Sequence, residues 1–388
     1  MQTKLFKQIK KIFQESHYQL YLVGGAVRDK LLKRESKDID LGTNARPKEM
    51  LSILREFNCK HIGFGTIAVY KDSETIEITT FRKIEKYSGV DRIPEVVYGD
   101  CIDEDLERRD FTINAMAIDL ISGKLIDPYF GESALKNRQL RIPKDDKLVL
   151  REDPLRMLRA ARFISELGFE PSYSLVSDAI DLASHILFIS RERWLMEMDR
   201  ILLGNHVKKA LDFLVDTKII NFILPEVIPS MGVEQPEEYH HKDVWEHTKD
   251  VVDNCPKNKN LRWAALLHDL GKPRVMTHKK GQIHFYRHEE VSAKLADHIC
   301  GRFRMSNQDS KEIIFLVRNH LRPNFYSDKW RDSAVRRFVL DAGDYLANLL
   351  ALSTADITSH RVSRVNAGLK NLFFEIKFYE FPFFICFQ

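Results

Sequence analysis

The chain has 388 residues, of which 44% are hydrophobic. This length can bury more than one core, so a single compact domain would be unusual. The 60 Lys and Arg residues exceed the 56 Asp and Glu residues by only four, which excludes a surface coated in basic charge and confines any nucleic-acid contact to a local region. The five cysteines lie far apart, and no apolar run reaches the ~20 residues that a membrane span needs. We therefore expect a cytoplasmic protein without a membrane partner.

The N-terminal part mixes strand and helix patterns. Residues 1–14 alternate lysine with Leu, Phe and Ile, which predicts an amphipathic first helix. An apolar run at 20–23 ends in two glycines and predicts a strand, and 47–57 reads as a helix with proline near its start. Runs at 67–70 and 76–81 flank a polar turn, as in a hairpin. We therefore predict an α+β fold for this part.

The C-terminal part shows a different pattern. From Asp153 onward apolar residues recur at helical spacing and strand signals fade, so the rest is predicted to be all-helical. Ten of the fourteen histidines lie between His240 and His360, which marks a further boundary. The sequence thus predicts three domains, with bounds at 1–140, 141–235 and 236–388, the last including a C-terminal tail.

The first candidate site begins with a glycine turn. Gly24 and Gly25 follow the predicted strand and precede a helix start at which Arg28 lies, and such a turn lets backbone N–H groups approach a phosphate. Asp38 and Asp40 follow; on a strand, alternate side chains point to the same face. Two parallel carboxylates repel unless a cation joins them, and Mg²⁺ prefers oxygen ligands. This pair is therefore a candidate catalytic platform for two-metal phosphoryl transfer.

The order Gly-Gly-x-x-Arg-Asp followed by Asp-x-Asp resembles the polymerase-β-type nucleotidyltransferase domain of class II tRNA nucleotidyltransferases and bacterial poly(A) polymerases. Three further blocks extend the resemblance in the same order: RRDFTINAMA at 108–117, DPYFG at 127–131 and EDPLRMLRAARF at 152–163. The resemblance implies a nucleotidyltransferase head over 1–140. It also implies that the second block, with Arg109, Asp110 and Asn114, binds the sugar and phosphates of a nucleotide, and that the third block is hinge-like.

The fourth block also has a chemical interpretation of its own. Asp153, Arg156 and Arg159 are spaced by three, so a helix that begins near Pro154 places them on one side, with Arg162 continuing the stripe. A carboxylate accepts from the amino group of cytosine or adenine, and a guanidinium donates to ring nitrogen and carbonyl positions. Side chains of the helical region 141–235 would then select C or A without a template and contact RNA. An exposed helix with ion pairs is the simpler alternative.

Two further features lie near the Asp-x-Asp pair. Residues 82–92 are polar and irregular and resemble the flexible loop of the family, which accompanies the ability to add A. Glu77 lies on the strand before this loop. It is either a third carboxylate of the site or an outward-facing strand residue.

The second candidate site is built from histidines. His268 and Asp269 follow the apolar run 263–267 and precede a glycine, so the pair lies near the end of a helix. Adjacent His and Asp side chains bind one cation only if other helices supply the remaining ligands. With His247 upstream and Asp356 downstream, the pattern resembles the HD phosphohydrolase superfamily.

His288 and His320 resemble the extra histidines of HD domains that hold two metals. Imidazole with carboxylate suits Mn, Fe, Co or Ni, and a metal-bound hydroxide that attacks phosphorus is the expected chemistry. Four other histidines are predicted to be surface or loop residues: His240, His241, His278 and His284.

Taken together, the resemblance implies an enzyme that adds CCA to the tRNA 3′ end from CTP and ATP with Mg²⁺. An attached HD domain is similar to the arrangement in one group of bacterial CCA-adding enzymes. The first alternative is a poly(A) polymerase or an A-adding tRNA nucleotidyltransferase. The second is an HD phosphohydrolase whose head binds RNA without catalysis. The sequence leaves open the oligomeric state, the HD substrate and the role of the phenylalanine-rich segment 372–388.

Overall fold

The computed structural model describes residues 3–35, 39–72, 74–88, 93–144, 147–235, 242–279, 282–326, 330–357 and 372. Asp38, residues 89–92 of the predicted loop, His240, His241 and the segment 373–388 lie outside the described residues. The chain divides into two compact units. Unit 1 comprises Met1–Arg156 and Phe169–Leu182, and unit 2 comprises Met157–Gly168 and Ala183–Gln388.

Thirteen strands occur in the described residues. They are β1 (Tyr21–Val23), β2 (Asp40–Thr43), β3 (Asn58–Gly63), β4 (Thr66–Lys71), β5 (Glu74–Thr80), β6 (Arg82–Ser88), β7 (Ile93–Tyr98), β8 (Ala117–Asp119), β9 (Leu125–Ile126), β10 (Gln139–Leu140), β11 (Glu170–Pro171), β12 (Thr277–Lys279) and β13 (Gln282–His284).

The same described ranges contain eighteen α-helices. They are α1 (Lys4–Glu15), α2 (Gly25–Leu31), α3 (Pro47–Ile53), α4 (Ile102–Glu107), α5 (Gly131–Lys136), α6 (Lys147–Glu152), α7 (Leu155–Leu167), α8 (Tyr173–Leu182), α9 (Arg191–Leu203), α10 (Val207–Asp216), α11 (Ile220–Ile223), α12 (Val244–Asn254), α13 (Lys259–Leu267), α14 (Lys272–Val275), α15 (His288–Arg302), α16 (Asn307–Asn319), α17 (Asp332–Ala342) and α18 (Leu346–Asp356). Five short 3-10 helices lie between them: Thr112–Asn114, Ala183–Phe188, Pro225–Ser230, Pro323–Phe325 and Gly343–Tyr345.

Unit 1 is built on a mixed seven-stranded sheet. The strand order is β3-β4-β5-β2-β1-β8-β9, in which β2 and β5 are parallel and the other neighbours are antiparallel. A separate ribbon pairs β6 with β7, and β10 pairs with β11. The prediction of an α+β head is confirmed, as is the hairpin of β4 and β5.

The predicted amphipathic first helix is present as α1. Its buried residues Leu5, Ile9 and Phe13 recur every four positions on one face. The helix begins because the Thr3 hydroxyl accepts a hydrogen bond from the Phe6 amide at 3.2 Å. Helix α3 is shorter than the predicted 47–57, since turns after Ile53 lead directly into β3.

Strand register brings distant motifs to one end of this sheet. In the antiparallel pair of β1 and β2, Leu22 lies opposite Leu41, so the end of β1 adjoins the start of β2. In the parallel pair of β2 and β5, Asp40 lies opposite Glu77. Val23 lies opposite Ala117 of β8. The glycine turn, the acidic strand and the second motif therefore meet at the same end of the sheet.

Unit 2 is helical, as predicted, with the short hairpin of β12 and β13 as an addition. Its core contains two buried tryptophans around one phenylalanine: the rings of Trp194 and Trp263 lie 6.1 and 5.1 Å from the ring of Phe303. Among the residues that the structure describes, no helix combines the length and the apolar character required to cross a membrane.

Candidate active site and metal centre

The glycine turn after β1 is conformationally demanding. Gly24 has φ +65°, a region that favours glycine. A Cβ at this position would lie 2.6 Å from Nη1 of Arg109, so the guanidinium of Arg109 packs directly against the turn. Helix α2 starts at the next residue, and its buried Ala26 and Val27 fix it to the head. The turn thus presents backbone next to a cationic side chain.

Two carboxylates lie level with each other at the same sheet end. Asp40 begins β2 and Glu77 lies opposite it on β5, and both residues are exposed while their strand neighbours Leu41 and Ile78 are buried. Residues in register on adjacent strands direct their side chains to the same face. The donor chemistry fits a hard divalent cation. Asp38 lies outside the described residues, so its predicted place beside Asp40 stays a prediction.

The second motif is tied to the glycine helix by a buried polar network. Arg28 Nη1 donates to Asn114 Oδ1 at 3.0 Å, and Asn114 Nδ2 donates to Asp110 Oδ1, also at 3.0 Å. The same Asp110 oxygen accepts from the Phe111 amide at 2.8 Å. Asp110 and Asn114 are buried. The structure therefore brings together three predicted site residues from two separate motifs.

One member of this neighbourhood was not singled out from the sequence. Asp105, on α4, is 3% exposed and accepts hydrogen bonds from Arg108 Nη2 and Arg109 Nη2, both at 2.8 Å. Burial raises the pKa of the Asp105 carboxyl, but Arg109 and then Arg108 outweigh burial and hold it below its ordinary value. The sequence signal was its spacing of three and four residues before the two arginines.

The third motif forms the start of α5. The two carboxylate oxygens of Asp127 accept from the amides of Gly131 and Glu132 at 2.6 and 2.9 Å. A Cβ on Gly131 would lie 2.3 Å from the Thr112 carbonyl oxygen, so only glycine allows this approach. The motif thus fixes α5 against the second motif. Its predicted hinge behaviour stays a prediction.

The fourth motif contacts the second motif through backbone. Asp153 is buried before α7 and accepts from the Leu155 amide at 3.3 Å. Arg156 Nη2 donates to the Arg108 carbonyl at 2.7 Å. Asp153 and Arg156 therefore lie within the same unit as the glycine turn. Their predicted role in selecting the base stays a prediction.

Arg159 and Arg162 continue along α7 in unit 2. Arg162 is 5% exposed, and its Nη1 lies 3.1 Å from Glu197 Oε2 on α9. The guanidinium carbon also lies 4.4 Å from the Phe163 ring centroid. The buried ion pair with Glu197 is sufficient to explain the position of the Arg162 side chain without a bound nucleotide. Arg159 is half-buried.

The histidine-rich centre in unit 2 has two overlapping ligand groups. The first contains His247, His268, Asp269 and Asp356. His247 Nε2 lies 2.9 Å from Asp356 Oδ1, and His268 Nε2 lies 3.1 Å from Asp269 Oδ2. The second group contains His288 and His320, whose Nε2 atoms are 3.3 Å apart, together with Asp269. Helices α12, α13, α15, α16 and α18 supply or adjoin these side chains.

Each inner histidine is oriented by a backbone carbonyl. The Nδ1 atoms of His268, His288 and His320 lie 2.7, 2.8 and 2.7 Å from carbonyl oxygens of residues three positions earlier. With Nδ1–H donating to the carbonyl, each Nε2 is free to act as a ligand. A hydrogen bond from Nδ1–H to a carbonyl that fixes the imidazole orientation is typical of metal-binding histidines.

The acceptors of this centre fit a cation. Within the described part of the chain, the Nε2 of His268 and both carboxylate oxygens of Asp269 are buried without a hydrogen-bond partner of good geometry. Asp269 Oδ1 lies 3.2 Å from His288 and Oδ2 lies 3.1 Å from His268, so its two oxygens face different ligand groups. Buried nitrogen and carboxylate oxygen atoms gathered around one point are the donor set of a metal site, and a bound ion would satisfy them together. The shared carboxylate fits two neighbouring ions.

The charges of the histidine-rich centre depend on one another. Burial lowers the pKa of His268, but Asp269 and Asp356 outweigh it and raise the pKa to about 10. Burial and the charge of His268 lower the pKa of His320 to about 3. Lys272 Nζ lies 2.6 Å from Asp269 Oδ2. The acids are therefore balanced by a protonated histidine and a lysine, and a bound metal would displace the proton.

The structure describes two of the four histidines that were predicted to be surface or loop residues, His278 and His284. Both lie on the β12–β13 hairpin. His278 is exposed, and His284 stacks on the exposed Tyr286 with ring centroids 5.0 Å apart. Neither belongs to the ligand groups found among the described residues.

Three family models match the chain in succession. Residues 20–141 match the poly A polymerase head domain, residues 168–231 match a domain described as the probable RNA and SrmB-binding site of polymerase A, and residues 238–359 match the HD domain. The candidate metal ligands all lie within the HD match. The glycine turn, Asp40 and the second motif all lie within the head match.

Curated relatives and one solved structure agree with these matches. The chain is 40% identical over 210 residues to the CCA-adding enzyme of Geobacillus sp. (strain WCH70), which covers 54% of this chain and 52% of that protein. It is 40% identical over 258 residues to the CCA-adding enzyme of Bacillus pumilus (strain SAFR-032), with 66% and 61% covered. The chain thus spans about half to three fifths of these relatives.

The crystal structure of the Bacillus stearothermophilus CCA-adding enzyme in complex with CTP has a similar fold. The TM-score is 0.69 at 25% identity, and the alignment covers 97% of this chain and 83% of that chain. The resemblance of the fold therefore extends beyond the part matched by the curated relatives.

Proposed function

We propose that this chain, whose residues 20–141 belong to the poly A polymerase head-domain family, adds CCA to the 3′ end of tRNA without a nucleic-acid template. The observation that carries the proposal is the convergence at one sheet end of the Gly24 turn, Asp40 and the second motif. Relatives named CCA-adding enzymes support the choice of product. CTP, ATP and the tRNA 3′ end are the proposed substrates.

The residues divide the chemistry between them. Asp38 and Asp40, with Glu77 as a candidate third carboxylate, would hold Mg²⁺, which when bound activates the terminal hydroxyl and neutralises the triphosphate. The hydroxyl attacks the α-phosphorus, and pyrophosphate leaves. Gly24, Gly25 and Arg28 would approach the phosphates, because the backbone N–H groups of a glycine turn and an adjacent guanidinium favour anions.

The second motif would hold the rest of the nucleotide. Arg109 packs on the glycine turn and is placed to pair with a phosphate, while the Asp110–Asn114 pair is a rigid polar surface for the ribose. Asp153 and Arg156 would read the base edge, the carboxylate as acceptor and the guanidinium as donor. Arg159 is assigned the same role by its helical spacing.

The identity of the added tail is tested directly. The protein is incubated with tRNA that lacks CCA, with tRNA that ends in CC and with an unrelated RNA, and receives CTP and ATP separately and together. We expect two C residues from CTP alone on the first RNA, one A from ATP alone on the second, and CCA from both nucleotides. Addition of A to every RNA would indicate a poly(A) polymerase. Addition of A only to the CC end would indicate an A-adding enzyme.

A second activity is proposed for the HD centre, because its buried ligand atoms match a two-metal site. His247, His268, Asp269 and Asp356 would hold one transition metal, and His288 and His320 would hold a second one with Asp269. Mn, Fe, Co or Ni suit this mixed donor set. A metal bound by these residues would activate water for the hydrolysis of phosphomonoesters or phosphodiesters.

The HD activity is measured by metal analysis of the purified protein and by release of phosphate from monoester and cyclic diester substrates. Hydrolysis without nucleotide incorporation would instead support an HD phosphohydrolase with an RNA-binding head. The retained acids Asp40 and Asp153 favour a catalytic head. A cytoplasmic location and domain boundaries near 140 and 235 are parts of the same proposal.

A further inference from the structure

The carboxylate of Asp105, within α4, accepts four hydrogen bonds from three residues. Its Oδ2 accepts from both Nε and Nη2 of Arg109, at 3.1 and 2.8 Å, and its Oδ1 accepts from Arg108 Nη2 and from the Arg82 amide at 2.8 and 3.2 Å. The side chain of Asp105 is 5% exposed. All four bonds therefore lie in a nearly dry environment, in which charge-assisted hydrogen bonds are strong and directional.

The contacts leave a defined part of the Arg109 guanidinium available. The Nε–Nη2 edge is occupied by Asp105, while Nη1 faces the Gly24 turn, where a Cβ would lie 2.6 Å away. Among the described residues, Nη1 donates a single hydrogen bond, a long one of 3.5 Å to the Asn114 carbonyl. A guanidinium is planar and rigid, so fixing one edge fixes the direction of the other.

The local charge also suits an anionic ligand. Asp105 neutralises one of the two cations that it contacts, so the group of Asp105, Arg108 and Arg109 keeps a net charge of about +1 beside the glycine turn. The carbonyl of Arg108 in turn accepts from Arg156 Nη2 at 2.7 Å. Asp105 thus contacts Arg109, for which we propose a phosphate contact. It is also linked through Arg108 to Arg156, for which we propose a contact with the base.

We propose that Asp105 is a positioning residue that holds the Arg109 guanidinium against the glycine turn so that Nη1 meets the triphosphate of the incoming nucleotide. Asp105 does not touch the nucleotide. It acts through Arg109, and it affects CTP and ATP equally because both carry the same triphosphate.

The test compares Asp105→Asn with Asp103→Asn in nucleotide incorporation by the full chain. Asp103 lies on the same helix α4 and is exposed, so it receives the same chemical change away from the arginines. We expect Asp105→Asn to raise the KM for both CTP and ATP about tenfold, with little change in kcat, because triphosphate binding is shared by ground and transition states. The KM for tRNA is expected to stay within about twofold of wild type. A KM increase for tRNA as large as that for the nucleotides would overturn the proposal.

A double-mutant cycle separates positioning from general stability. If Asp105 acts through Arg109, the variant Asp105→Asn/Arg109→Gln has the same kcat/KM as Arg109→Gln alone, within about twofold. Independent, multiplicative losses would overturn the proposal, since a merely structural role reduces activity whichever residue occupies position 109.

Two controls distinguish a failure of the proposal from misfolding of a variant and from a wild-type protein that lacks the proposed activity. Circular dichroism checks that each variant is folded; if Asp105→Asn does not fold, Arg109→Lys replaces it, because lysine keeps the charge but loses the Nε–Nη2 edge. A nucleotide KM within about twofold of wild type for Arg109→Lys then overturns the proposal. Because the role rests on the proposed nucleotidyl transfer, a wild-type protein that incorporates no nucleotide contradicts that function, whereas an active wild type with an unaffected Asp105→Asn variant contradicts only the role of Asp105.

Discussion

The guanidinium of Arg109 occupies the space that a side chain on Gly24 would need. The two residues are 85 positions apart in the chain, yet a Cβ on Gly24 would lie 2.6 Å from Arg109 Nη1. Gly24 also has φ +65°. The positive φ therefore favours glycine at position 24, and a side chain there would also displace the Arg109 guanidinium.

Gly24→Ala is predicted to impair nucleotide binding beyond its effect on stability. The positive φ costs roughly 1–2 kcal/mol for a residue with a Cβ, and the clash displaces Arg109 as well. The matched control is Gly123→Ala, where φ is +77° and no described residue has an atom within 4 Å of the added Cβ. Both variants should lower the thermal midpoint similarly, but only Gly24→Ala should raise the KM for CTP and ATP. Equal kinetics in the two variants would contradict the packing role of Arg109.

Asp40→Asn is predicted to abolish nucleotide incorporation while the fold is retained. Asp40 is exposed at the start of β2, so the loss of its charge costs little stability, whereas loss of a direct cation ligand should lower the rate by more than about a hundredfold. Asp72→Asn is the control, since Asp72 is an exposed turn residue at φ +55° that asparagine tolerates. Incorporation is followed with radiolabelled CTP and ATP. An active Asp40→Asn variant would exclude the assigned head site.

Asp269→Asn is predicted to abolish binding of both metals that we propose for the HD centre. Its two oxygens face different ligand groups, so the amide weakens both at once. His320→Ala should remove only the second metal, because His320 belongs to one group. Metal content by elemental analysis of the purified proteins measures the difference.

The control for this comparison is Asp297→Asn, which makes the same change at an exposed position of α15. It should retain the wild-type metal content. Nucleotide incorporation should survive in all three variants, since the head carries its own carboxylates. Loss of incorporation in Asp269→Asn with intact folding would show that the two centres are not independent.

Arg162→Met is predicted to destabilise unit 2 without changing nucleotide kinetics. Removing one partner leaves the Glu197 carboxylate buried and unpaired, which costs about 3–5 kcal/mol. Arg200→Met, at an exposed position of α9, should have a free energy of unfolding close to that of wild type. Urea denaturation measures the stability and incorporation assays measure the KM. An increased nucleotide KM at unchanged stability would instead support the predicted role of Arg162 in nucleotide binding.

Most of the secondary structure can be predicted from local sequence patterns. The four-residue spacing in α1, the hairpin of β4 and β5, and the helical body follow from hydrophobic periodicity and turn chemistry, which act over a few residues. The end of α3 was placed too late, because propensity alone does not show where the chain must turn into the next strand.

The candidate sites were partly visible as motifs. His247, His268, Asp269 and Asp356 were grouped by resemblance, and the structure places their ligand atoms within 4.8 Å of one another. Asp105 was missed because an acid on a short helix has no distinctive signal until its partners are known. Arg162 has the helical spacing of a base-selecting residue. Spacing along one helix does not reveal that Glu197 of α9 forms an ion pair with it.

The sequence by itself therefore determined the types of element, the chemistry of both centres and the order of the motifs. Only the tertiary structure decided which carboxylates share a face, which arginines are buried in ion pairs and which residue orients Arg109. The physical reason is that sheet register and helix packing are set by contacts between residues far apart in the chain. In this protein, the pairing of β2 with β5 sets Asp40 beside Glu77, and the turn at Gly24 receives Arg109.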